Sequence, residues 1–146
     1  MGLSRLSIVL IGLQFALIAL IVWPVGAQRF GLIFWICLIG SIALGAYILM
    51  HNRLGNFNIR PEPKATAQLI TAGPYRFIRH PMYSALLLAT AGFVVAENIW
   101  VKLGLWIALG LVLSAKASFE EQLMIEKFPD YPAYRARTKR FLPFVF

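Results

Sequence analysis

Two polar clusters in an otherwise apolar chain hold the side chains able to do chemistry. One is the run Gly73-Pro74-Tyr75-Arg76-Phe77-Ile78-Arg79-His80-Pro81-Met82-Tyr83, which sets two tyrosines, two arginines and a histidine directly before an apolar stretch. The other is Lys116 with the adjacent carboxylates Glu120 and Glu121, at the end of a further apolar stretch. Together they offer a carboxylate for an amine or a hydroxyl, aromatic faces for a ring or a cation, and an ammonium for an anion.

Each residue also has a plainer reading. Arg76 and Arg79 suit topology determinants, Tyr75 and Tyr83 an aromatic belt, and His80 a donor at a helix end. Lys116 and Glu120 stand i,i+4 and can pair along one helix, although such pairs contribute only about 0.2–0.5 kcal/mol. Adjacent carboxylates at the end of an apolar stretch are harder to explain that way. At a membrane boundary they are costly unless solvated or paired, so they mark a polar cavity. A methyl donor such as S-adenosylmethionine has the handles for this set, and so has a nicotinamide nucleotide. The residues alone do not choose.

The elements that must position these clusters are apolar helices. Of 146 residues 60% are hydrophobic and 14% charged, which predicts one membrane domain, residues 1–146, and excludes an ordinary soluble one. A bilayer core needs roughly 20 apolar residues per helix. Runs at about 6–23 and 30–50 fit that requirement and shorter ones stand at about 82–96 and 99–115, so the expected fold is an all-α integral-membrane bundle of about four spans. The net charge of +8 sits beside those runs, where anionic headgroups and topology account for it, and no nucleic-acid partner is expected. Cys37, the single cysteine, lies inside the second run and reads as a small apolar residue. No metal site is expected. Arg5, the first run and Val25-Gly26-Ala27 resemble a signal peptide, but the run is long for one and predicts a retained helix.

Twelve of the 14 Lys and Arg fall on one side if both termini are cytoplasmic, leaving Arg29 and Lys102 outside. That predicts an inner-membrane protein in a prokaryote or an endoplasmic-reticulum protein in a eukaryote. The loop 51–80 and the tail then face each other. Arg60-Pro61-Glu62-Pro63 cannot be helical throughout, Gly73-Pro74 reads as a turn, and Pro81 suits the first position of a helix. Without a breaker before Pro129, the fourth helix should run on into the cytoplasm. A short basic helix or turn at 134–140 should follow, and the apolar residues 141–146 should return to the interface.

From Asn56 to Phe146 the chain resembles the isoprenylcysteine carboxyl methyltransferases, integral-membrane enzymes that in turn resemble the phospholipid methyltransferases. Four stretches carry the resemblance in order: Thr71-Ala72-Gly73-Pro74-Tyr75, Arg79-His80-Pro81-Met82-Tyr83, Glu120-Glu121-Gln122-Leu123-Met124, and the tail from Phe128-Pro129-Asp130-Tyr131 and Tyr134 to Arg137-Thr138-Lys139-Arg140-Phe141-Leu142-Pro143. The resemblance implies an S-adenosylmethionine pocket built from about 56–83 and 116–146. Gln68, Leu69 and Ile70 would line its approach; Tyr75, His80, Pro81, Met82 and Tyr83 would contact the cofactor, and Glu120 would hold it. Lys116 stands where the family has an arginine thought to position the acceptor, so charge is kept and the bidentate fork lost. Pro129-Asp130 stands where the family often has glycine after the phenylalanine.

What this implies is carboxyl O-methylation of a lipid-like or isoprenylated acceptor that enters from the bilayer, with Lys116 orienting it. If the acceptor needs a base, His80 or Glu121 is the candidate. In a prokaryote a small isoprenoid acid or another lipid is a more natural acceptor than a prenylated protein. Two other readings compete: a nicotinamide-dependent membrane reductase, whose relatives usually carry more spans, and a membrane scaffold that keeps the fold without the activity.

Overall fold

The computed structural model describes residues 2–24, 29–52, 68–97 and 100–143, with side chains from residue 5 onward. Five α-helices appear among them: α1 (Gly2–Val22), α2 (Leu32–His51), α3 (Pro81–Glu97), α4 (Trp100–Lys127) and α5 (Tyr131–Arg137). A 3-10 turn at Gly73–Arg76 precedes α3, and the described residues contain no strand beyond one isolated parallel bridge between Ile78 and Lys139. The Arg60-Pro61-Glu62-Pro63 connector and Val25-Gly26-Ala27 lie outside the described residues.

Three helices, α1, α2 and α4, are long and apolar enough to cross a membrane. At 17 residues α3 is shorter; with about 1.5 Å of rise per residue it reaches about 25 Å, the lower limit for a core of about 30 Å. The expected four spans are thus three of full length and one short one. At 28 residues α4 is the reverse case. It is about 42 Å long, so roughly its last eight residues project past the hydrocarbon, and Glu120 and Glu121 ride on that projection. Pro129 ends it as expected.

Large apolar side chains face outward along α1 and α2, among them Phe15, Leu20, Leu32, Trp35, Ile39 and Ile42. A soluble protein would bury such faces; here lipid covers them, and the chain is a membrane protein. Inside, α2 lies along α3 and α1 along α4, while α3 also touches both α1 and α4. At Gly92 a Cβ would stand 3.3 Å from the Phe34 carbonyl oxygen and from Cys37 Cβ, so a small residue lets α2 and α3 approach. Ser41 Oγ donates to the Ala85 carbonyl at 2.8 Å, and Trp106 Nε1 to the Leu87 carbonyl at 2.9 Å. Both satisfy a polar group that lipid could not.

The core consists of Ile21, Leu109, Leu113, Ala117 and Phe141. Phe141 comes from the tail, so the segment expected at the interface instead begins by plugging the bundle; residues 144–146 lie outside the described residues. At the other end, Lys102 Nζ meets Glu97 Oε1 at 2.7 Å and donates to the Trp23 carbonyl at 2.9 Å, while the Arg29 amide donates to the Ala96 carbonyl at 2.8 Å. These bonds tie the end of α1 to the α3–α4 turn. Lys102, one of the two basic residues counted outside, is buried in this set.

Candidate active site

Backbone pairing fixes the geometry at the Glu120 end. The Arg79 amide donates to the Lys139 carbonyl at 2.8 Å, the His80 amide to the Arg140 carbonyl at 3.1 Å, and the Lys139 amide to the Phe77 carbonyl at 3.0 Å. Ser84 Oγ then donates to the Phe141 carbonyl at 2.6 Å. The tail is laid across the start of α3, where Pro81 occupies the first helical position, as expected. Upstream, Gly73 has φ +58° and its missing Cβ would stand 2.3 Å from the His51 ring, so only glycine makes this turn. The turn delivers Tyr75, whose hydroxyl accepts from Asn52 Nδ2 at 2.9 Å and whose carbonyl accepts from the Tyr134 hydroxyl at 2.7 Å.

Glu121 is the hub of the cluster. Its carboxylate accepts from Arg79 Nε at 3.0 Å, from Arg140 Nε and NH2 at 3.2 Å each, and from His80 Nε2 at 3.1 Å, with Arg135 Nε at 3.4 Å. Burial alone would raise this carboxyl, but the hydrogen bonds from His80, Arg140 and Arg79 outweigh it and hold it well below the usual carboxylate range. Arg79 also donates to the carbonyls of Arg135 and Thr138. One carboxylate therefore fastens α4, the start of α3 and the tail together.

Glu120 faces a different set. Its Oε1 accepts from the Tyr83 hydroxyl and its Oε2 lies 3.3 Å from His80 Nδ1. The His80 and Tyr83 rings are stacked, 5.4 Å apart and 6° from parallel. Both His80 nitrogens thus point at carboxylates, which only accept, and this arrangement favours the doubly protonated imidazolium. Burial lowers its pKa, but the hydrogen bonds to Glu120 and Glu121 raise it further, and the net shift is upward. Glu120 keeps 19% of its side chain exposed, against 2% for Glu121.

Lys116 does not pair with Glu120. Its ammonium donates to Gln14 Oε1 on α1 at 3.0 Å and lies 5.3 Å from the centre of the Tyr83 ring. It is 3% exposed, inside the hydrocarbon part of α4, where a side-chain amide and an aromatic face replace the missing water.

The structure therefore brings His80, Tyr83, Glu120, Glu121 and Lys116 into one connected cluster, with Tyr75 bonded beside it to the tail. Pro81 is buried as the helix start, and Met82 is 48% exposed on the first turn of α3. Gln68 is exposed and Leu69 and Ile70 half-buried in the extended stretch before the turn. Gln14 is a neighbour of the cluster that the sequence reading did not single out, and the convergence of Arg79 and Arg140 on Glu121 was not visible in spacing. A lone Gln in an apolar span was the available signal for the first.

A family model described as phospholipid methyltransferase matches residues 4–131. Among curated proteins, the cobalt-zinc-cadmium resistance protein CzcN of Cupriavidus metallidurans is 34% identical over 76 residues, 51% of this chain and 35% of that protein. The nickel-cobalt-cadmium resistance protein NccN of Alcaligenes xylosoxydans xylosoxydans is 31% identical over 81 residues, 55% of this chain and 38% of that protein. The chain spans about a third of the length of these relatives. No group of three or more His, Cys, Asp or Glu suited to a metal ion occurs among the described residues.

Proposed function

The chain belongs to the phospholipid methyltransferase family, within the isoprenylcysteine carboxyl methyltransferase-like group of membrane methyltransferases, and from that premise we propose that it methylates a lipid-like acid using S-adenosylmethionine. The observation that carries the reading is the state of Glu120. Its carboxylate is oriented by Tyr83 and His80, yet it stays partly exposed and keeps accepting capacity. Such a carboxylate suits the ammonium or ribose hydroxyls of the cofactor, and the stacked Tyr83 and His80 rings offer a flat wall beside it. Tyr75 and residues 68–70 would line the approach to it, as the family resemblance implies. When bound, the cofactor supplies a methyl group made electrophilic by its sulfonium.

The protein's own contribution is positioning and exclusion of water. Lys116, held by Gln14 and by the Tyr83 ring at intramembrane depth, orients an anionic head that arrives from the bilayer while its apolar chain stays in lipid. His80 is protonated between two carboxylates, and Glu121 is saturated by His80 and the guanidiniums, so neither serves as a general base. An acceptor that is already anionic needs none. This favours a carboxylate over an amine or a hydroxyl. By the positive-inside rule the Glu120 face is cytoplasmic, and so are both termini.

Calorimetric titration of the detergent-solubilised protein with S-adenosylmethionine tests the donor. Saturable binding that Glu120→Ala abolishes is expected; well-folded protein that stays silent up to millimolar donor would refute the reading. Transfer of labelled methyl into a base-labile ester of an isoprenoid or fatty acid tests the acceptor, and label found only in amine or ether products would overturn the carboxylate assignment.

A further inference from the structure

The positive charge gathered around Glu121 far exceeds what one carboxylate neutralises. Arg79, Arg135 and Arg140 already converge on it, and Arg137 and Lys139 stand beside them. With Ala136 and Thr138 these cations line a cleft of about 440 Å³ between α5 and the tail. Even with the Glu120 carboxylate and the His80 ring counted beside Glu121, five cations lining the cleft leave a positive excess in a concave space. Like charges held this close raise the free energy unless a counter-anion joins them.

Topology needs basic residues on one side of the membrane, but it does not need them to converge. Here they are held in convergence. Arg79 is tied to the Arg135 carbonyl at 3.1 Å, and the Ile78–Lys139 bridge locks the opposite wall. Arg135, Arg137 and Lys139 remain exposed at the rim. Along the same two segments Phe77, Met82 and Leu142 are 43%, 48% and 56% exposed, so apolar surface lies within a few residues of the guanidiniums. Cations next to apolar surface at a membrane boundary match a phosphate with acyl chains attached.

We propose that this cleft binds the phosphate of an anionic phospholipid from the adjoining leaflet. Glu120, Tyr83 and Lys116 take no part in its lining, so the lipid is held there as a ligand rather than as the methyl acceptor. The bound phosphate offsets the excess charge around Glu121 and fastens the tail to the membrane surface. The assignment rests on the cleft itself and stands whether or not the acceptor is a carboxylate.

Native mass spectrometry and thermal melts of the purified protein with phosphatidylglycerol, phosphatidylcholine or inorganic phosphate test it. One phosphatidylglycerol per chain should be retained in preference to phosphatidylcholine and should raise the melting temperature. Arg137→Gln with Lys139→Gln should weaken that retention by about ten-fold or more, ten-fold being about 1.4 kcal/mol, while Arg137→Lys with Lys139→Arg should keep it. Should the neutral pair melt early without lipid, Ala136→Glu, which puts a carboxylate on the cleft wall, should give the same loss. Equal retention of the two lipids, or unchanged retention in Ala136→Glu, overturns the site. Stabilisation by inorganic phosphate with no lipid adduct overturns the lipid as its source.

Discussion

The two ends of the bundle handle buried charge in opposite ways. At the Lys102 end one ammonium meets one carboxylate, the remaining donor goes to the Trp23 carbonyl, and the Glu97 side chain is fully buried. At the Glu120 end two carboxylates share one imidazolium, three arginines crowd one of them, and the other keeps a partly open face. A closed, balanced pair can hold helices together and do little else. An unbalanced cluster with an open carboxylate holds helices together and still has valences left for a ligand. Adjacent residues on one helix divide those duties, Glu121 turned to the protein and Glu120 to what enters.

The comparison can be broken by substitution. The largest effect is expected for Glu121→Ala, which takes from Arg79, Arg140 and His80 the carboxylate they share. Removing one partner of a buried ionic set costs about 3–5 kcal/mol, and chemical or thermal unfolding in detergent should show it together with loss of donor binding. Lys102→Met should cost about 3 kcal/mol by removing the ammonium that meets buried Glu97, yet calorimetry on the surviving folded protein should find donor binding intact. If Lys102→Met abolishes binding at temperatures where the protein is folded, the division between the ends is wrong. Lys116→Ala should lower methyl transfer by about 10- to 100-fold, the worth of a charge-assisted hydrogen bond of about 1.5–3 kcal/mol, with donor affinity little changed. Lys116→Arg should restore much of it, which a rate assay across acceptor concentrations can read.

The smallest effect is in pH. His80 has a folded pKa above its unfolded one, so the stability it contributes is complete below about 6.5 and fades as pH rises through the raised value. Glu121 has a depressed folded pKa, so its contribution is complete above about 4.3 and fades as pH falls towards the lowered value. Melting temperature should therefore plateau between those limits and decline on the alkaline side, and His80→Gln should flatten that decline. A wild-type profile still rising between pH 7 and 9 would contradict the imidazolium assignment.

Much of this was readable from sequence because lipid makes a strong statement. Apolar runs marked the positions of α1 to α4, Pro81 and Pro129 marked a start and a stop, and the adjacent glutamates marked the place on α4 where the charged cluster forms. What stayed hidden depends on contacts between distant segments. Spacing paired Lys116 with Glu120, one turn away, because local geometry is all that spacing encodes; Gln14, 102 residues earlier, is the actual partner. Counting charges put Lys102 outside but did not show that it is buried against Glu97, because that depends on how α3 and α4 pack. The same blindness applied to Glu121, whose role as a clasp depends on Arg79 and Arg140 arriving from two other segments.

Residues 138–141 supply the backbone partners of Arg79 and His80 and the phenylalanine that closes the core. In chain order they follow every long helix. A ribosome feeding this protein into a membrane thus delivers all the long helices before it delivers the strap that assembles Glu120, His80 and Tyr83 into a working arrangement. A chain that stops or is clipped ahead of residue 138 lacks the backbone partners of Arg79 and His80 and the phenylalanine that closes the core, so quality control could read the docking of a single short segment.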